Sequence, residues 1–156
     1  MYKLCFAYSN ITDLCIPEGI ISMDSMAIFK NTVLTNIYSY RTNGTINDVT
    51  YNSVKNMTDI YNSLPDGLEY IGSDCFYYTR SLSYIYIPAS VKYIGHHAFW
   101  DAVYKEDKEL HGITCINVEA DEKSFEECTK SDQWHPQYDY MLFKKSVDIN
   151  YSEARK

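Results

Sequence analysis

Leu64-Pro65-Asp66-Gly67-Leu68-Glu69-Tyr70-Ile71-Gly72-Ser73-Asp74-Cys75-Phe76-Tyr77 returns 23 residues later as Ile87-Pro88-Ala89-Ser90-Val91-Lys92-Tyr93-Ile94-Gly95-His96-His97-Ala98-Phe99-Trp100. Pro, Tyr, Ile, Gly and Phe coincide, and the other core-like positions differ only in the kind of apolar residue. A fixed period of this length marks a repeat architecture, and it has to be read before any single element is assigned. Upstream the period continues in weaker form. Ile11-Thr12-Asp13-Leu14, Leu34-Thr35-Asn36-Ile37 and Met57-Thr58-Asp59-Ile60 are spaced by 23, Leu82-Ser83-Tyr84-Ile85 follows after 25, and Ile113-Thr114-Cys115-Ile116 after 31. The last gap is longer because Val103 to Gly112 reads as an added loop.

Each unit therefore reads as a short strand, a Pro or Gly turn, and a helical or irregular return that buries Ile and Phe. One unit cannot cover its own apolar face, whereas stacked units share a continuous core. The expected fold class is an α/β repeat solenoid of about five strands, with units near 11–33, 34–56, 57–81 and 82–112 and a fifth strand at 113–118. Gly72 and Gly95 read as a tight bend, and Asp24 and Asn47 at the equivalent places also tolerate the left-handed region. Between Tyr40 and Asn56 two readings stand. Ile46, Thr50 and Tyr51 fit a degenerate unit at the places of Ile94, Ala98 and Phe99, while Asn43-Gly44 fits a type I′ hairpin turn.

With Ile85-Tyr86-Ile87-Pro88-Ala89-Ser90-Val91-Lys92-Tyr93-Ile94-Gly95-His96-His97-Ala98-Phe99 in view, the chain closely resembles the BspA-type (Treponema-type) leucine-rich repeat. Units of that family read L-x-x-I-x-I-P-x-x-V-x-x-I-G-x-x-A-F. The resemblance is strong over 64–100, fair over 1–63 and plausible at 113–118. The terminal unit of the family, an apolar strand running into an acidic stretch and then a Trp, is matched by Ile116-Asn117-Val118-Glu119-Ala120-Asp121, Phe125 and Trp134. The resemblance implies a leucine-rich-repeat stack over 1–118 with a C-terminal cap over 119–156, and it implies recognition, since the family's members are commonly surface or secreted binding proteins. The repeat also occurs in phage and other viral genomes, and no shared catalytic motif comes with it. Cys5-Phe6 matches Ala98-Phe99, so Met1 falls in mid-unit. An open apolar N-terminal end at Leu4 and Phe6 is then expected to be covered by another chain or a second copy.

The composition narrows the function classes. The chain has 156 residues, 46% of them hydrophobic, and a net charge of −7. That is one domain with a real core, and the acidic balance argues against a nucleic-acid partner. No apolar stretch reaches the roughly 18–20 residues of a membrane span, so no membrane insertion is expected. The first residues lack the pattern of an export signal, which points to a cytoplasmic or virion location. Five cysteines without a C-x-x-C pair read as reduced, mostly buried thiols. No cofactor or metal is expected, and four N-x-S/T sequons read as chance in a chain rich in Asn, Ser and Thr.

Sixteen tyrosines are the compositional oddity. Aligned strands give two outward ladders, Asp13-Asn36-Asp59-Tyr84-Cys115 and Cys15-Tyr38-Tyr61-Tyr86-Asn117. The candidate protein-binding face is Asp13, Tyr38, Asp59, Tyr61, Tyr84 and Tyr86, an aromatic strip of the kind that makes interface hot spots. Stacked tyrosines that only stabilise the sheet are the competing reading. A third ladder, Thr12-Thr35-Thr58-Ser83-Thr114, is assigned to satisfying backbone groups. His96-His97 are a weak metal signal because adjacent side chains point apart, and His111 near Cys115 lacks a third catalytic partner. The expectation is a non-enzymatic module that recognises a protein, with a structural part of a larger assembly such as a phage or virus particle as the alternative.

Overall fold

The computed structural model describes residues 6, 8–24, 33–40, 60–61, 63–100, 102–106, 109–131, 133–134 and 147–154. Leu4, Asp59, the Asn43-Gly44 pair, Ile46 and Tyr51 lie outside them, and Tyr61 is described by its main chain alone.

Two ladders of short parallel strands carry the chain. The first contains β1 (Asp13–Pro17) beside β3 (Asn36–Tyr40), and β6 (Tyr84–Ile87) beside β10 (Cys115–Val118), which in turn pairs with β12 (Asp148–Asn150). The second runs through β2 (Ser22–Met23), β5 (Tyr70–Ile71), β7 (Tyr93–Ile94) and β11 (Thr129–Lys130). Leu14 and Ile16, Ile85 and Ile87, and Ile116 and Val118 alternate inward, as a half-buried strand requires. The observed registers follow the sequence period. Asp13 faces Asn36, Tyr84 faces Cys115, and Tyr70 faces Tyr93. Parallel pairing follows because corresponding segments run in the same direction one unit later.

The repeat is closed by main-chain bonds from unit to unit. Phe76 N–H donates to Ala98 C=O (2.7 Å), Gly95 N–H to Ile71 C=O (2.8 Å) and Lys92 N–H to Glu69 C=O (2.9 Å). Inside these bonds Phe76 stacks on Phe99, ring centroids 5.2 Å apart at 11°, with both rings fully buried. Such pairs add about 0.5–1.5 kcal/mol beyond area burial. Tyr70 and Tyr93 stack in the same way at 4.4 Å and 6°. Pro65 and Pro88 each open a turn whose C=O accepts from Leu68 or Val91 N–H, both at 3.2 Å. Ser90 ties the two turns together, donating to Leu68 C=O (2.9 Å) and accepting from Gly67 N–H (3.1 Å).

Several expectations are corrected. The described returns are turns, and α1 (Glu122–Glu127) is the one helix among the described residues, so strands dominate where helical returns were allowed. β4 (Ile60–Tyr61) pairs antiparallel to β3, with Tyr61 opposite Ser39, where the period put Tyr61 in parallel register with Tyr38. β2 pairs directly with β5, Ser22 to Tyr70, and the degenerate unit or hairpin expected around Ile46-Asn47 lies outside the described residues. The insertion at 103–112 is a hairpin of β8 (Val103–Glu106) and β9 (Glu109–Gly112). The C-terminal segment, expected as a cap, adds a rung to each ladder through β11 and β12. Its α1 is capped by Asp121, which accepts from Ser124 N–H at 2.9 Å, and it buries Phe125. Trp134 meets Phe99 and Phe125 edge-on, at 6.4 and 5.9 Å.

The repeated glycine has a different cause from the one expected. Gly72 and Gly95 are absent from the positive-φ residues; the left-handed bends fall two residues later, at Asp74 (φ 56°) and His97 (φ 57°). At Gly95 the constraint is proximity. A Cβ there would lie 2.4 Å from Ser73 N and 2.7 Å from Gly72 C, both main chain of the neighbouring unit. Gly95→Ala therefore has to push two units apart. We expect it to cost about 1–3 kcal/mol, read as a lower urea midpoint at unchanged m.

Candidate functional site

The strand face is built from the outward residues of β1, β3, β6, β10 and β12. On its first part Asp13 is half-buried and held from two sides. Asn36 Nδ2 donates to Oδ1 (2.9 Å) and Thr12 Oγ1 to Oδ2 (2.8 Å). Thr35 Oγ1 donates to Thr12 C=O (2.9 Å), as the hydroxyl ladder predicts; Thr12 itself turns to Asp13. Cys15 and Tyr38 sit side by side in register, both half-buried. This puts a fixed carboxylate and a tyrosine on two adjacent strands, two positions apart.

The second part carries Tyr84, Cys115 and Asp148 on one row and Tyr86, Asn117 and Asn150 on the next. Asn150 Nδ2 donates to Asn117 Oδ1 (3.0 Å) and to Cys115 Sγ (3.2 Å). Tyr84 is half-buried, and burial pushes its hydroxyl pKa up. Tyr86 departs from the expected strip: it is 4% exposed, and its hydroxyl donates to Glu153 C=O at 2.7 Å.

A continuous tyrosine strip does not form among the described residues. Tyr38 belongs to the β1-β3-β4 sheet and Tyr86 to the β12-β10-β6 sheet, and the antiparallel β4 sets Ser39, rather than Tyr38, opposite Tyr61. Between the two sheets lies a small notch of about 10 Å³, room for about one water, lined by Asn36, Ile37, Tyr84 and Ile85.

At the expected N-terminal end Phe6 is half-buried and packs against the core. Thr12 C=O and Glu18 N–H both bond to β3, so Asp13, Cys15 and Pro17 turn their main-chain groups to the outer edge of β1. Pro17 has no N–H there, which blunts the edge against another strand.

The histidines are brought together more closely than adjacency suggested. The His96 and His97 rings lie 3.7 Å apart, because His97 takes a left-handed backbone that swings its side chain round. His97 is engaged further: Nε2 lies 2.8 Å from Gln133 Oε1, Nδ1 lies 3.7 Å from Asp74 Oδ1, and Trp100 packs at 4.3 Å. Among the described residues no group of three or more His, Cys, Asp or Glu side chains could hold a metal ion. Sequence reasoning missed this cluster, together with the Arg80 guanidinium over the Tyr78 ring (3.8 Å). The 23-residue alignment of Asp74 with His97 is the signal that could have found it.

Cys15 and Cys115 are both shifted toward the thiol form. Burial, and then the Asp13 carboxylate, push Cys15 above its ordinary value of 9.0. Burial pushes Cys115 the same way, with Asp148 and Glu153 adding to it and the Asn150 hydrogen bond opposing it. Thiols in such surroundings stay protonated at neutral pH.

The family described as BspA type Leucine rich repeat region matches residues 1–106 and 46–139, in six copies. The chain belongs to that family. Leucine-rich repeats in general mediate protein–protein interaction or adhesion. Comparison with characterised proteins and with solved structures finds no match. Among the described residues no helix is long and apolar enough to cross a membrane.

The Cys15 surroundings give a testable pH dependence. A folded pKa above the unfolded one contributes stability that is complete below the ordinary thiol value and lost as pH rises through the folded value. Stability, followed by urea unfolding, is therefore expected to fall as the pH rises past the ordinary thiol value of 9.0. Alkylation of Cys15 by iodoacetamide is expected to have its midpoint above 9.0, and Asp13→Asn to bring that midpoint down.

Proposed function

We propose that the chain is a non-catalytic recognition module, a short solenoid that binds a protein partner through its strand face. Tyr38, Asp13 and Tyr84 form the contact. The observation that carries the reading is the register of β1 and β3, which pairs Asp13 with Asn36 and Cys15 with Tyr38. Asn36 and Thr12 hold the Asp13 carboxylate before any partner arrives, so little ordering entropy is left to lose. A half-buried tyrosine beside a fixed polar group is a composition that concentrates binding energy.

Catalysis finds no support in the same residues. Cys15 and Cys115 are held in the thiol form, and both ring nitrogens of His97 face partners within the fold. The other reading, assembly through Leu4 and Phe6 at the N-terminal end as part of a larger particle, is disfavoured by Pro17 on the outer edge of β1 and by Phe6 packing inward.

The test begins with capture of a partner on immobilised full-length chain and its identification by mass spectrometry. Tyr38→Ala is then expected to weaken that complex by about thirtyfold, the loss typical of a central hot-spot aromatic. Asp13→Ala is expected to weaken it by about tenfold, and Arg80→Ala on the turn side to leave it unchanged. Wild-type affinity in both Tyr38→Ala and Asp13→Ala would show that the partner binds elsewhere.

A further inference from the structure

The in-register tyrosine pairing that the first ladder lacks is present on the second. Its outward row runs Ser22, Tyr70, Tyr93 and Thr129 on β2, β5, β7 and β11, while Met23, Ile71 and Ile94 are buried on the other side. Tyr70 and Tyr93 are half-buried and stacked, and Tyr93 Oη lies 3.1 Å from Ser131 Oγ. One residue earlier stand Ile21, Glu69, Lys92 and Cys128, joined rung to rung by main-chain bonds. Ile21 is 62% exposed, and Glu69 and Lys92 form an exposed ion pair at 2.5 Å. An aromatic pair, an exposed aliphatic side chain and two opposite charges therefore share one face.

The order of these residues makes the face complementary to itself. Its four rungs have their midpoint between β5 and β7. A two-fold axis laid there, parallel to the strands and in the plane of contact, sets the first rung opposite the last and the second opposite the third. Glu69 then faces the second copy's Lys92 and Lys92 its Glu69, while Tyr70 faces Tyr93. Ser22 faces Thr129 and Asp24 faces Ser131, so these facing pairs set no like charges together. An isologous contact requires this reciprocity, and the axis keeps the strands aligned, as packed sheets prefer. The first ladder fails the same operation. Its end rungs carry Asp13 and Asp148, and the two-fold sets acid against acid.

We propose that the second-ladder face is a self-association surface on which two copies of this chain pair about an axis between β5 and β7, Glu69 against Lys92 and Tyr70 against Tyr93. Four rungs at about 4.8 Å and six residues at about 3.3 Å give a face of roughly 400 Å². That is about half the roughly 800 Å² a side of a standard interface, so the dimer is weak and reversible. The contact goes beyond the strand-face reading and uses none of Asp13, Tyr38 or Tyr84. Each copy keeps those residues for a partner, and the pair becomes a bivalent binder.

Sedimentation equilibrium of the full-length chain tests this, at about 0.15 M salt where the Debye length is about 8 Å and the net charge of −7 on each copy is screened. The average mass is expected to climb from one chain toward two as concentration rises. Glu69→Lys and Lys92→Glu each set like charges across the axis at two symmetric contacts. Each alone is expected to weaken the dimer by about tenfold, and an equal mixture of the two variants to recover the wild-type constant to within about twofold. Both side chains are exposed, so the urea midpoints stay close to wild type. Tyr38→Ala is expected to leave the dimer unchanged, which separates this surface from the strand-face reading. A single-chain mass at every concentration would overturn the proposal. So would a dimer indifferent to either reversal, or a mixture no tighter than its two components.

Discussion

Stacked units among the described residues exchange main-chain hydrogen bonds, and the remainder of the structure follows from that requirement. A buried N–H or C=O left without a partner costs free energy comparable to a lost hydrogen bond. Residues 69–78 place theirs on 92–100, and 92–99 place theirs on 129–134. The 23-residue spacing is the length that brings equivalent atoms opposite one another. Once that is fixed, Phe76 must lie on Phe99 and Tyr70 on Tyr93, and the units must approach closely enough that Gly95 tolerates no Cβ.

The same constraint explains how the C-terminal segment behaves. Residues 129–131 and 133–134 stand outside the 23-residue period, though within the family match that runs to 139, and they present N–H and C=O groups where a further unit would. Ser131 N–H bonds to Ile94 C=O, and Trp134 C=O accepts from Phe99 N–H. Phe125 and Trp134 close the apolar end over Phe99. Asp148–Asn150 does the same for the first ladder, with Ile149 opposite Ile116. Main-chain bonding is indifferent to side-chain identity, so the stack can be continued by segments that depart from the 23-residue period.

This also decides what was legible in the sequence. The Ile-Pro-x-x-Val-x-x-Ile-Gly pattern specifies apolar positions and turns, and there the reading of strands, register and inward faces agrees with the structure, as at Asp13 with Asn36 and Tyr84 with Cys115. β12 went unread because Val147 replaces the Ser or Thr that begins the other strands, and its 33-residue offset from Cys115 breaks the period. The antiparallel β4 went unread because a period assumes one direction for every rung. Tyr86 shows the limit for the candidate site. Alternation along a strand tells which way a side chain points, whereas what covers it depends on a segment 67 residues away. Gly95 was found and misassigned, since a glycine needed for close approach and one needed for positive φ look alike in a sequence.

The central claim is that adjacent units are coupled through a stacked, parallel register. A double-mutant cycle on Phe76→Leu and Phe99→Leu, followed by urea unfolding, measures that coupling directly. The stack predicts a coupling of about 0.5–1.5 kcal/mol between the two positions. Additivity to within about 0.3 kcal/mol would mean that the rings do not meet, and it would contradict the register on which the whole account rests.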